Sequence, residues 1–226
     1  AFKLFVYLAA LEGGASPEDR MPDVPISVDG WRPHNFDGKH RGEMTLEDAF
    51  AESINTIAVQ VSERAARGRV IAMARRLGIT TPISPTPSLA LGANEVSLLE
   101  LTAAYGTIAD EGRAVRPYGI EAIGDRAGRT LYRRATPQPT AVLDERTVRR
   151  MDAMLQRVVL AGTGHAARLD RIAASENSLG VMRHSSAPHH LKAHRAGPAF
   201  DHLHRRLDRV AVEVDDLLLG DFAHLL

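Results

Sequence analysis

The chain has 226 residues, 44% of them hydrophobic and 25% charged, a soluble globular profile with enough apolar material for one sizeable core. Lys plus Arg and Asp plus Glu each total 28, so the net charge is zero with histidine neutral, which argues against an electrostatic nucleic-acid binder. The absence of cysteine excludes disulfides and thiolate metal sites.

Lys3 to Leu11 reads as a helix closed by Gly13-Gly14, with Phe5, Leu8 and Ala9 on one face. Its apolar run from Leu4 to Leu11 is too short to span a bilayer. The sequence opens without Met and inside a helical pattern, so a fragment with a membrane anchor upstream is expected. Ser16 to Gly42 is rich in Pro, Asp and Gly and predicts a loop or an irregular strand pair, with Trp31 and Phe36 as its anchors into the core. Thr45-Leu46-Glu47-Asp48 is a capping-box pattern with Met44 placed as a staple. It opens a helix predicted to run to about Ser53. A second helix starts near Asn55 and turns Ile57, Ala58 and Val61 inward.

Gly68 is expected to separate that helix from another over Arg69 to Leu77, ended by Gly78. Thr80 to Ala93, with Pro82, Pro85 and Pro87, predicts an ordered loop. Ser97-Leu98-Leu99-Glu100 is a second capping box, opening a helix whose Leu101, Ala104, Tyr105 and Ile108 face the core. The period then changes. Val115, Tyr118, Ile120 and Ile123, followed by a Gly124 to Gly128 turn, predict a hairpin returning through Thr130-Leu131-Tyr132. Asp144 caps a last helix, Glu145 to Leu160, and Gly162-Thr163-Gly164 reads as its C-terminal cap.

From about Arg171 the character of the chain changes, and seven of the ten histidines lie beyond it. His190 and His194 have the i, i+4 spacing of metal ligands on a helix, but no acidic or cysteine partner completes a site, so no metal is assigned. Leu203, Leu207, Val210, Val214, Leu217 and Leu218 allow an amphipathic helix. A shifted reading frame or a gene rearrangement is the simplest source of this tail.

The chemistry-bearing stretch is Ser53-Ile54-Asn55. Ser53 lies seven residues after Leu46 and three after Phe50, on an apolar helical stripe where a hydroxyl needs a partner. Asn55 brings an amide with donors and an acceptor. On spacing alone two readings stand: the polar part of a serine acyl-transfer site together with Lys3, or a serine bonded back to a helical carbonyl, an asparagine at a helix break and a solvated terminal lysine.

The flanking text favours the first. Ala1-Phe2-Lys3-Leu4-Phe5-Val6-Tyr7-Leu8, Trp31-Arg32-Pro33-His34-Asn35-Phe36-Asp37-Gly38, Thr45 to Ala49, Ser53-Ile54-Asn55-Thr56, Arg75 to Ile79, Pro87 to Gly92 and Glu95 to Glu100 follow one another in an order and spacing that resembles the transpeptidase domain of class A penicillin-binding proteins. The resemblance covers roughly residues 1 to 170 and implies an α+β fold, the penicillin-binding-protein/β-lactamase-like transpeptidase fold, present in part and mainly as its helical subdomain beside a five-stranded antiparallel sheet. Residues 1–171 would be the partial transpeptidase domain and 172–226 an unassigned tail.

That family uses Ser-x-x-Lys, Ser-x-Asn and Lys-Thr-Gly motifs. Lys3 matches the first motif's lysine, so its serine would immediately precede Ala1; Ser53 and Asn55 match the second; no Lys-Thr-Gly occurs in the sequence. The implied roles are base for Lys3, proton relay for Ser53 and substrate binding for Asn55. The implied activity is that of a serine D,D-transpeptidase crosslinking peptidoglycan stem peptides and acylated by β-lactams. It uses no cofactor, at the periplasmic face of a bacterial inner membrane with other cell-wall synthesis proteins as partners. Without the nucleophile and the third motif, the 226 residues alone are expected to be inactive. The alternative is a non-catalytic helical interaction module with a His-rich tail. Missing sheet strands would also leave apolar helix faces uncovered.

Overall fold

The computed structural model describes residues 1–135, 138 and 140–167. The tail from 172 onward, with the His190/His194 pair and the amphipathic pattern from Leu203 to Leu218, lies outside the described residues.

Helix α1, Lys3–Glu12, is the centre of the molecule. Leu4, Phe5, Val6, Tyr7, Leu8, Ala9 and Leu11 are all buried, so it is enclosed on every side, where the sequence suggested a single apolar face. Each fully buried Leu or Phe contributes about 1.5–3 kcal/mol relative to exposure. Helices α3 (Asn55–Ala65), α4 (Arg67–Arg76) and α6 (Glu145–Ala161) pack around it. Tyr7 meets Phe50 edge-on at 4.9 Å. The helix stops where expected: Gly14 adopts φ 99°, and Ala15 N–H donates to the Ala10 carbonyl.

The proline-rich stretch after α1 contains one antiparallel ribbon, β1 (Arg20–Asp23) paired with β2 (Gly42–Thr45) in the register Met21 opposite Met44. Met21 and Met44 are buried beneath it. Trp31 packs against the core, but Phe36 is 81% exposed and is not an anchor. The buried residues of that turn are Pro33 and Asn35. An amide can be buried there because its bonds are met by Asp23 on β1, by Lys39 in the loop and by the backbone at residues 55 and 56, which the apolar pattern alone does not reveal.

Thr45 caps the six-residue α2, Leu46–Ala51, accepting from Asp48 N–H at 3.2 Å. The first helix therefore ends two residues before the predicted limit at Ser53. The α3–α4 break falls at Ala66, with φ 71°, and Gly68 lies inside α4. Sequence reasoning placed the break at the more permissive residue. A short 3-10 turn, Pro87–Leu91, interrupts the predicted loop and packs on α3. Ser97 caps α5, Leu98–Ala109, from Glu100 N–H. The Glu100 carboxylate accepts instead from Thr80 and Thr81, which hold its pKa down at about 2, so only half of the second capping box forms. The hairpin of β3 (Ala122–Gly124) and β4 (Thr130–Arg133) is exposed along its length. Asp144 caps α6 from Thr147 N–H at 2.9 Å. Leu98 and Leu99 are 59% and 63% exposed, uncovered apolar surface of the kind the partial fold predicts.

Candidate active site

The α2–α3 junction makes the site. After Ala51 the chain turns through Glu52, and Ser53 takes φ 56°, in the left-handed region. Ser53 N–H donates to the Phe50 carbonyl at 3.0 Å and Ile54 N–H to the Ala49 carbonyl at 2.8 Å. This crossed pair is a Schellman motif, and Ser53 occupies the position where glycine is usual. Ile54, the residue that follows, is buried at 2% exposure. The serine is thus off the helical stripe on which periodicity placed it. A residue with a Cβ is held in a glycine conformation two residues before Asn55, the first residue of α3.

Lys3 reaches this turn from the first turn of α1. Its Nζ lies 2.6 Å from the Ser53 carbonyl, 2.8 Å from Ser53 Oγ and 2.7 Å from Asn55 Oδ1. The carbonyl and the amide oxygen can only accept, so they take two N–H bonds. The remaining direction faces a hydroxyl that can either accept or donate. Proton exchange along the Lys3–Ser53 line is what this geometry permits. The other end of the Asn55 amide donates to the His34 carbonyl at 2.8 Å, which fixes its orientation. Lys3, Ser53 and Asn55, the three residues singled out from sequence, therefore meet at one point. The solvated-lysine reading of Lys3 is overturned by those contacts.

Beside them is a cavity of about 30 Å³ lined by Ala1, Lys3, Leu4, Ser53, Tyr105 and Thr163, among others. Tyr105, 2% exposed, donates its hydroxyl to the Ala1 carbonyl at 2.9 Å and so anchors the chain just ahead of Lys3. Thr163 N–H donates to the Ala51 carbonyl at 3.0 Å, closing the C-terminal end of α2. Gly162-Thr163-Gly164 is the α6 cap expected, with both glycine N–H groups on the Val158 carbonyl, and it is also a clamp on the site.

The buried cluster behind the turn escaped sequence reasoning. Asp23, fully buried, accepts from Asn35, Thr56, His40 and Arg41 N–H. Burial pushes its carboxyl upward, but the bonds from Thr56, Asn35, His40 and Arg41 outweigh this and hold it below the ordinary carboxylate range. Asn35 lies within the 31–38 stretch, which carries the family resemblance by its order. A polar residue amid Trp31, Pro33 and Phe36 was the available signal. No group of three or more His, Asp and Glu side chains suited to a metal occurs among the described residues.

The family model for the penicillin binding protein transpeptidase domain matches residues 1–177. The chain belongs to this family. Its curated relatives include penicillin-binding protein 1A of Rickettsia typhi, 34% identical over 194 residues, covering 74% of this chain and 25% of the relative. Penicillin-binding protein 1A of Aquifex aeolicus is 36% identical over 183 residues, covering 78% and 25%. The chain thus spans about a quarter of the length of these penicillin-binding proteins. Among solved structures, penicillin-binding protein 1A from Haemophilus influenzae superposes with a TM-score of 0.67 at 23% identity, over 73% of this chain and 31% of that one. PonA1 from Mycobacterium tuberculosis, in complex with penicillin V, gives 0.64 at 21% identity, over 70% and 46%. At these identities the likeness is one of fold. The α+β transpeptidase fold expected from the resemblance is the one found, represented by its helical part.

Proposed function

We propose that this chain carries the lysine and the Ser-x-Asn turn of a serine D,D-transpeptidase that crosslinks peptidoglycan stem peptides and is acylated by β-lactams. The observation that carries the reading is the meeting of Lys3 Nζ with Ser53 Oγ and Asn55 Oδ1 across 50 and 52 residues of sequence. Family membership supplies the reaction class.

In this reading a serine joined to Ala1 is the nucleophile. It would stand at the start of α1, three residues before Lys3, where Tyr105 holds the Ala1 carbonyl. Serine Oγ bonds to the carbonyl carbon of the penultimate D-Ala as its proton passes to the neutral Lys3 amine. Collapse of the tetrahedral intermediate breaks the bond to the terminal D-Ala nitrogen, which takes its proton from the lysine through Ser53 Oγ. A second stem-peptide amine then attacks the acyl-enzyme ester, giving the amide crosslink and returning the proton to the serine. Asn55 would hold the donor peptide through its side-chain amide, held in place by His34. A β-lactam takes the same path as far as the ester.

The domain bounds, residues 1–171 followed by 172–226, belong to this reading, as do a periplasmic location in the parent protein and the inactivity of the 226 residues alone. Fluorescent penicillin tests it. The full-length protein, with a serine ahead of Ala1 and an in-frame Lys-Thr-Gly strand, is expected to be labelled, and Lys3→Ala to lower labelling at least a hundredfold. Full labelling of Lys3→Ala refutes the base role. No labelling of the parent protein leaves the interaction-module reading.

A further inference from the structure

We infer that Asn35 is a positioning residue for the acyl-transfer site: its side chain caps α3 from outside and thereby sets the Ser53–Asn55 turn. The inference rests on the acyl-transfer reading above.

Helix α3 begins without a cap of its own. Its N-cap residue is Ile54, which has no side-chain acceptor. The first N–H groups of a helix have no intrahelical partner, and Thr56 is fully buried, away from water. Asn35 Oδ1 meets the need, accepting from Asn55 N–H at 3.0 Å and Thr56 N–H at 3.3 Å.

The other end of the amide explains why it must be asparagine. Asn35 Nδ2 donates to Asp23 Oδ1 at 2.8 Å, Asp23 Oδ2 at 3.0 Å and the Lys39 carbonyl at 2.7 Å. A carbonyl and an ionised carboxylate offer no proton, so the NH2 must face them and the oxygen must face α3. Asp23 is itself locked by Arg41 N–H at 2.8 Å and by the Thr56 hydroxyl.

The adjoining residue completes the grip. His34 takes the Asn55 side-chain NH2 on its carbonyl while Asn35 takes the Asn55 backbone N–H. Two consecutive residues thus hold Asn55 at both ends. Its Oδ1 is left aimed at Lys3, and α3 is left starting where Ser53 must turn. Without this external cap, α3 can fray or shift, and the Lys3–Ser53–Asn55 distances change with it.

Asn35→Asp isolates the effect. The oxygen towards α3 remains, and a negative charge suits a helix N-terminus. The donor is lost, however, and two carboxylates face each other across a hydrogen-bond distance. In the full-length protein carrying the serine ahead of Ala1, the limiting rate of acylation by fluorescent penicillin is expected to fall about tenfold to a hundredfold, as for a displaced catalytic constellation. The half-saturating concentration should change less. The exchanged pair, Asn35→Asp with Asp23→Asn, returns a donor to the contact and should recover most of that rate. Gln60→Met is the comparison. It removes bonds from α3 to the Pro22 and Thr56 carbonyls but none made by Asn35, Ser53 or Asn55, and should lower Tm while leaving acylation within about twofold. Asn35→Ser gives the same comparison if Asn35→Asp does not fold, and is expected to be slowed as well. Wild-type acylation by folded Asn35→Asp or Asn35→Ser overturns the inference, as does equal slowing by Gln60→Met. A wild-type protein that penicillin does not label overturns the acyl-transfer reading, and the inference falls with it.

Discussion

Ser53 is held in a conformation that favours glycine, so its hydroxyl and its backbone can be tested apart. Replace it once by alanine and once by glycine. Both variants lose the Ser53 Oγ–Lys3 Nζ bond, so that loss cancels between them. What differs is the Cβ at φ 56°. Holding a residue with a Cβ in the left-handed region costs about 1–2 kcal/mol. Glycine gives back about 0.4–1 kcal/mol through the greater freedom of its unfolded chain. Ser53→Gly should therefore be more stable than Ser53→Ala by roughly 0.5–1 kcal/mol, or about 2 °C in Tm for a domain of this size. Thermal unfolding followed by far-ultraviolet circular dichroism measures this. In the full-length protein both variants should lose penicillin acylation to the same extent, since neither can relay a proton. An alanine variant as stable as the glycine one would show that the turn does not hold Ser53 left-handed. A glycine variant that acylated normally would show that the hydroxyl is not used.

Gly162→Ala should be destabilised by about 1–3 kcal/mol, because a Cβ there would lie 2.2 Å from the Ala51 carbonyl oxygen, and backbone rather than a pliable side chain would have to move. A urea midpoint equal to wild type would refute the close contact. Asp23 should make folding acid-sensitive. Its native pKa lies below the unfolded value of about 3.9, so its contribution is full above that value and is lost as pH falls through the native one. The stability gap between wild type and Asp23→Asn should thus narrow from pH 5 to pH 2 in urea titrations. Asp48 and Asp144, also held low by their cap partners, are common to both proteins and cancel. A constant gap would mean that Asp23 does not titrate with folding.

Much of the helical framework was legible because its signals are local. Thr45 and Asp144 bond N–H groups three residues away, and Gly14 and Gly78 close helices at positive φ. The α3–α4 break departs from local preference: Ala66 adopts a glycine-like φ two residues before an actual glycine, Gly68. Phe36 also departs from its expected burial. Aromatic character signals burial on average, but in that loop the filled place belongs to an amide whose partners lie 12 and 20 residues away.

The order of its motifs was enough to place Lys3 with Ser53 and Asn55 and to indicate an acyl-transfer family, because that order survives without knowledge of the chain's path. Folding alone decided how the three are held. Asn35, oriented by Asp23, caps α3 from another segment, Tyr105 reaches Ala1 across 104 residues, and Gly162 admits the Ala51 carbonyl. Asparagine, aspartate, tyrosine and glycine have the same bonding capacity wherever they occur in a sequence. Which groups they satisfy depends on what burial brings within 3 Å, and that is a property of the packed chain.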